Sequence, residues 1–408
     1  MLFLVLVKAF DTVPRDLLWG VLLKFGVPPK LVSLLKALHS NVKVKFEVGG
    51  VCKSLGSITG VKQGDLLGPE LFTFFQAAVM ITWRKAHSYP LCMFNVKADF
   101  VLSGRRVAER ADGQLAVYDS LYADDAGLLF PSRKVLEEQA PAVVAHFARW
   151  GMGVHVGHIS PDGKVAESKT EVLFCPAPAS SYSDPTTFDN ADLSNVELGG
   201  DTFFPVVAEF KYLGSYMAKD CSDTRDVDSR IEAAGKAFGA LSECVFRSLK
   251  VNFAAKRRAY EALVLSVLLY GCECWSLTEV HLNRLRAFHH RCVRTICRVT
   301  LWHTWRRRIT MTSLLNRAGL WTIDMYVSQR QLRWLGHVCR MDFDRLPRKM
   351  LSCWVGASRP RGAPQFTYAR GVYKATGKFN IDRKIVDWPR IAQDRFLWAS
   401  VLAHGSFI

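Results

Sequence analysis

The sequence has no apolar run long enough to cross a bilayer, no long tract of one residue type and no dense cysteine framework. Its opening stretch, Met1-Leu2-Phe3-Leu4-Val5-Leu6-Val7, stops at Lys8, well short of the ~20 apolar residues of a membrane helix. A continuous apolar run of that length is instead the pattern of a buried strand. The eleven cysteines are scattered, which excludes a small disulfide-stapled domain, and the opening residues lack the pattern of a secretory leader. Reduced thiols and an intracellular setting, nucleus or cytoplasm, are therefore expected. Hydrophobic residues make up 49% and charged residues 22%, which excludes a disordered or fibrous protein. With 408 residues the chain can bury a large core, divided among about two to three units.

Acidic residues are scarce in one half only. Residues 1–227 hold 23 Lys+Arg against 25 Asp+Glu, whereas residues 228–408 hold 31 against 12. The net charge of +17 is thus concentrated in the C-terminal half, and a localised excess implies a polyanionic partner where a dispersed one implies only solubility.

Pro14 suits the first turn of a helix that carries Leu17, Leu18, Val21, Leu22 and Phe25 and stops at Gly26. Pro29 opens a second, with Leu31, Leu34, Leu35 and Leu38 on one face and Ser40-Asn41 at its end. Alternation from Val42 to Phe46, the Gly49-Gly50 turn and the run Val51 to Leu55 predict a hairpin. Residues 69–87 predict a buried helix, and Ala116 to Phe130 two short strands broken at Ala123-Asp124-Asp125. The Ser, Pro, Asp and Asn content from Pro176 to Asp201 predicts a surface loop or hairpin. Beyond residue 228 the pattern is mainly helical. The expected class is α+β, with boundaries near residues 228 and 300.

The sharpest chemical feature is Tyr122-Ala123-Asp124-Asp125, set between Leu121 and Leu128-Leu129-Phe130. Adjacent carboxylates in apolar surroundings repel each other and are costly to desolvate unless a cation compensates them, although an exposed Asp-Asp turn would also produce the dipeptide. Magnesium suits hard oxygen ligands. A pair of such ions about 3.5–4 Å apart can activate an attacking hydroxyl and stabilise a departing pyrophosphate.

Three segments in order, Lys8-Ala9-Phe10-Asp11-Thr12-Val13, Gly60-Val61-Lys62-Gln63-Gly64-Asp65 and Tyr122 to Asp125, resemble motifs A, B and C of reverse transcriptases from non-LTR, LINE-type retrotransposons. Trp150-Gly151 with Ser168-Lys169-Thr170-Glu171 resembles the next motif, and Phe210-Lys211-Tyr212-Leu213-Gly214-Ser215 the primer grip. Leu269-Tyr270-Gly271 with Trp275, and Arg333-Trp334-Leu335-Gly336-His337-Val338 with Arg340-Met341, are similar to segments downstream of the polymerase in RTE-like elements.

The resemblance implies a right-hand polymerase palm, an antiparallel sheet with packed helices, over residues 1–227. A helical thumb-like domain would follow over 228–300 and a basic C-terminal region over 301–408. The implied activity is nucleotidyl transfer by an RNA-directed DNA polymerase using two magnesium ions, an RNA template, a DNA primer and deoxynucleotides. Asp124 and Asp125 would ligate metal, Phe10 would sense the sugar 2′ position, Gln63 and Gly64 would position template and nucleotide, and Lys169 would protonate pyrophosphate unless it is a plain surface lysine.

The sequence departs from the family in two ways. A metal-binding aspartate usually stands where this chain has Val5, and an isopropyl group cannot ligate magnesium. Asp11 follows the gate residue and by strand alternation faces away from the metals. The fingers, and an endonuclease, precede motif A in the family and would lie before Met1. Loss of one ligand removes much of the electrostatic stabilisation that two-metal catalysis relies on, so little or no polymerase activity is expected. A non-catalytic nucleic-acid-binding remnant is the alternative.

For nucleic acid, Leu282, Leu285, Phe288, Cys292 and Ile296 fall on one helical face and Arg284, Arg291, Arg294 and Arg298 on the other. An arginine stripe suits phosphate contacts, and a solvated helix face would look the same. Arg306-Arg307-Arg308 with Trp302 and Trp305 is compatible with base stacking or with core packing. Cys272, Cys274, His281, His289, His290, Cys292 and Cys297 offer zinc-type ligands, but without the compact repeated pairs of a zinc site.

Overall fold

The computed structural model describes residues 1–62, 64–88, 92–96, 113–175, 194–354, 368–379, 381 and 388–403. They form two compact units, one from within 1–93 and 116–208, the other from within 94–115 and 209–403. Helices and mainly antiparallel sheets are mixed in the chain. Among the described residues no helix is long and apolar enough to cross a membrane.

The first unit is organised by the opening apolar run. Leu2–Leu4 is a fully buried strand at the centre of a five-stranded sheet, ordered Val206–Val207, Glu171–Leu173, Leu2–Leu4, Asp125–Leu128, Asp119–Tyr122. Only the pairing of Val206–Val207 with Glu171–Leu173 is parallel within it. Residues opposite one another in a ladder share a face, so Leu2, Leu4, Ala126, Leu128 and Val172 form one apolar face. That face joins the core made by the helices Arg15–Lys24, Gly68–Ala86 and Arg133–Arg149, where Phe72, Phe75 and Phe147 are fully buried.

The hairpin Lys43–Val48 with Val51–Gly56 turns on Gly49-Gly50, both at positive φ, as the two-residue turn of a twisted hairpin requires. The apolar faces drawn from the sequence for the two early helices need correction. Leu17, Phe25, Leu31, Leu34 and Leu38 are exposed, and the helix Pro29–Leu38 meets the core through Val32 and Leu35. Leucine spacing alone could not say which of two adjacent apolar stripes would find partners. The predicted loop from Pro176 falls largely outside the described residues, and its end is the hairpin Val196–Gly199 with Thr202–Phe204.

The second unit begins with the hairpin Glu209–Tyr212 and Ser215–Ala218, whose turn residues Leu213 and Gly214 both have positive φ. Helices follow, at Thr224–Leu241, Glu279–Ile296, Met311–Ala318 and Ile323–Cys339 among others. Thr278, Thr300, Thr310 and Thr322 each accept a hydrogen bond from a backbone N–H of the first turn they precede. These caps fix where the helices start. One core runs from Val227 to Val327 through Phe246, Tyr260, Leu285 and Ile296, and a smaller one gathers Leu332, Leu335, Val372 and Trp398.

Gly336 is where the indole of Trp398 meets helix backbone, its Nε1–H donating to the Leu332 carbonyl at 2.9 Å. Gly336→Ala is therefore expected to cost about 1–3 kcal/mol by overpacking. Gly239→Ala, in open space on the helix Thr224–Leu241, should gain up to about 1 kcal/mol. Denaturant unfolding of the second unit reads both, and an unchanged Gly336→Ala midpoint would show that the indole does not rest on that backbone.

Candidate active site

In the first unit the strands Asp119–Tyr122 and Asp125–Leu128 pair so that Tyr122 faces Asp125, leaving Ala123-Asp124 as a two-residue turn. Ala123 sits at φ +52. A left-handed alanine costs on the order of 1 kcal/mol, strain of the kind that collects at functional sites. The turn holds Asp124 exposed and Asp125 half-buried, with Tyr122 64% exposed. Burial first, and the neighbouring Asp124 charge second, push the Asp125 carboxyl above its ordinary range.

The central strand meets this hairpin in register, Leu2 with Leu128, Phe3 with Gly127 and Leu4 with Ala126. One residue further, Val5 stands at the level of Asp125. By alternation Val5 and Asp125 continue the face of Phe3, Gly127 and Glu171, opposite the helix-packed one. The structure therefore sets Val5 level with the carboxylate pair. Val5 is pinned: its N–H donates to Thr170 Oγ1 at 3.1 Å and its carbonyl accepts from His155 N–H at 2.9 Å. Thr170 is in turn set by Ser168, whose hydroxyl accepts from Thr170 N–H at 3.0 Å and donates to the His155 carbonyl at 2.8 Å. Lys169, between them, is exposed and its backbone N–H reaches His155 Nδ1 at 3.2 Å.

Phe10 lies on the short helix Ala9–Thr12, half-buried and stacked on Phe72 with ring centroids 4.5 Å apart. Its carbonyl accepts from Val61 N–H, and the Val13 carbonyl from Gly60 N–H, both at 2.8 Å. These bonds join the first two sequence motifs. At Gly60, φ is +80 and an added Cβ would come within 2.6 Å of the Asp11 carbonyl oxygen, so only glycine fits. Arg15 completes the joint by donating to the backbone carbonyls of His39, Ser57, Thr59 and Gly60. Gly64 is exposed at φ +82, and Gln63 lies outside the described residues. Asp11 is exposed on the short helix, its backbone against Gly60.

Sequence reasoning missed Thr170 and Arg15 as positioning residues. Their spacing carries no signal, because each acts through backbone groups distant along the chain.

The residues present do not meet the demands of a two-magnesium centre. Asp124 and Asp125 offer two carboxylates, the side chain level with Asp125 is aliphatic, and among the described residues no three His, Cys, Asp or Glu side chains gather as metal ligands.

In the second unit the primer-grip-like hairpin is fastened by residues that sequence reasoning had grouped separately. Tyr270 Oη donates to the Leu213 carbonyl at 2.9 Å, and Arg230 donates to the Gly214 carbonyl. Buried Asp226 accepts from Tyr216 N–H at 3.0 Å and from Trp275 Nε1–H at 2.8 Å. Of the arginine stripe on Glu279–Ile296, Arg284 is paired with Asp228 and Arg291 lies 5.3 Å from the Phe288 ring centroid. Arg294 is half-buried, and Arg298 stands beyond the helix end at φ +58. Several of the Cys/His residues of that region have structural duties. His289 bonds Tyr260 Oη and the Trp321 carbonyl, His281 completes the Thr278 capping box, and Cys292 and Cys297 are core.

Residues 1–160 match the family model of reverse transcriptase, RNA-dependent DNA polymerase. Over 226 residues the chain is 24% identical to an uncharacterized transposon-derived protein of Caenorhabditis elegans, covering 53% of this chain and 78% of that one. Over 68 residues it is 36% identical to the retrovirus-related Pol polyprotein from the type-1 retrotransposable element R2 of Bradysia coprophila, 17% of this chain and 8% of that polyprotein. Residues 1–160 are thus similar to a reverse transcriptase domain, and the relatives come from transposable elements.

Because the Asp125 carboxyl is raised, the folded state binds its proton more tightly than the unfolded chain does. Its stabilising contribution is present below the ordinary carboxylate pKa and is lost as pH climbs through the raised value. Asp125→Asn should therefore melt higher than the wild type near neutral pH without added metal, and the difference should vanish well below the carboxylate range. Thermal melts across pH check this, and a pH-independent difference would refute the cause given.

Proposed function

We propose that this chain is the palm, thumb-like and C-terminal part of an RNA-directed DNA polymerase of the non-LTR, RTE-like retrotransposon kind, and that its nucleotidyl-transfer centre is defective. In this reading residues 1–227 are the palm, 228–300 the thumb-like helices and 301–408 the basic C-terminal region. RNA template, DNA primer and deoxynucleotide are the partners, with Phe10, Gln63 and Gly64 around the incoming nucleotide and Lys169 beside the pyrophosphate. Arg291, Arg294 and Arg298 would follow the template–primer backbone. Arg284 would do so only by exchanging Asp228 for phosphate.

The observation that supports this best is the register of Leu2–Leu4 against Asp125–Leu128. It sets Val5 level with Asp125, where a third carboxylate would complete a shared metal site. With two carboxylates, the chain can offer a magnesium ion the partial coordination usual for that metal, but not the ligand set of a paired-ion centre. The charge of residues 228–408 favours a second reading, a chain that binds nucleic acid without extending a primer.

Primer extension on an RNA template tests the reading. The wild-type chain should incorporate no nucleotide, and incorporation abolished by Asp124→Ala would overturn the inactivity. A binding readout stands beside it. Magnesium should raise the melting temperature of Val5→Asp clearly more than that of the wild type, and an equal response in both would show that Val5 is not at the metal position.

A further inference from the structure

The second unit contains a cavity of about 440 Å³ bounded by the helix Phe253–Ala259, the end of Glu279–Ile296, the short helix Leu301–Arg306 and the helix Met311–Ala318. Lys256, Arg298, His303, Arg307 and Arg317 line it, and no Asp or Glu among the described residues does. Several arginines elsewhere in this unit are matched to carboxylates, as Arg230 is to Asp226, Arg284 to Asp228 and Arg286 to Asp324. Here the basic groups gather without a counter-charge.

Lys256 is 4% exposed, its ammonium 5.7 Å from the Phe253 ring centroid, and Arg317 lies over the same ring at 5.4 Å. Burial, and then the charge of Arg298, lowers the Lys256 pKa. A buried cation facing other cations is unfavourable alone and becomes favourable when an anion enters. Arg298 is held at φ +58, a conformation costing a non-glycine residue on the order of 1 kcal/mol, and in that position it joins the lining.

The short helix that gives His303 to the lining also carries two indoles outside that lining. Trp302 is 54% exposed and Trp305 81%, so neither is a core residue, and Arg306 lies over the Trp302 ring at 4.8 Å. A site for a small inorganic anion has no use for exposed indoles. Cationic grooves beside aromatic platforms are how proteins hold single strands, phosphates in the groove and bases on the rings.

We propose that this cavity receives phosphodiester groups of a single polynucleotide strand whose bases stack on Trp302 and Trp305. Val5, Asp124 and Asp125 take no part in it, but it rests on the nucleic-acid-binding reading above and shares Arg298 with it.

Fluorescence anisotropy of the full chain with labelled oligodeoxythymidylate and with oligouridylate, across a salt series, tests it. Arg298→Gln with Arg307→Gln should reduce the slope of log affinity against log salt by about 1.4, at ~0.7 per single-strand phosphate contact. Trp305→Ala should weaken binding about tenfold with the slope unchanged. Lys30→Gln with Lys36→Gln, an equal charge loss on an exposed helix of the first unit, should alter neither. Inorganic pyrophosphate should compete only weakly with either oligomer. The proposal is overturned if the Arg298/Arg307 variant behaves as the Lys30/Lys36 control, or if Trp305→Ala binds as wild type while pyrophosphate displaces the strand. Should the double variant fail to melt cooperatively, Arg307→Gln alone and Trp305→Ala supply the same comparison.

Discussion

The candidate site depends on one buried strand of three residues. Leu2–Leu4 lies between Glu171–Leu173 and Asp125–Leu128, and a one-residue slip would exchange its faces. Leu2 and Leu4 would leave the helix-packed core, and Phe3 would enter it. The free energy of that core therefore fixes which residue stands level with Asp125. Thr170 holds the next residue by its backbone, so Val5 keeps its place although its own side chain has no polar role there.

This placement sets an aliphatic side chain beside two carboxylates. Two acids at a strained turn, one with a raised carboxyl pKa, are a costly arrangement. The isopropyl group of Val5, level with them, adds no further negative charge. The segments around it are tightly joined. The Gly60–Asp11 contact, the Arg15 clamp and the Phe10–Phe72 stack all hold the first two motifs together.

The second unit uses charge in two ways. Buried Asp226 ties Trp275 and Tyr216 into one network around the Glu209–Ala218 hairpin, and Arg286 and Lys378 share Asp324. These pairs are structural. Lys256, Arg298, Arg307 and Arg317 are left as a group around one cavity, so the large positive charge of this half is not spread evenly over its surface.

The sequence by itself determined the local pieces. The apolar run at Leu2, the Gly49-Gly50 turn and the Tyr122 to Asp125 hairpin follow from backbone propensity and short-range hydrogen bonding, which a few neighbouring residues settle. The order of the motifs carried the family likeness. Tertiary structure alone decided which apolar stripe of Pro29–Leu38 is buried, that Arg284 is occupied by Asp228, that Trp302 and Trp305 face solvent, and that Thr170 and Arg15 are positioning residues. Those outcomes turn on which partners, often dozens of residues away, fill the space around a side chain, and spacing along the chain does not encode that.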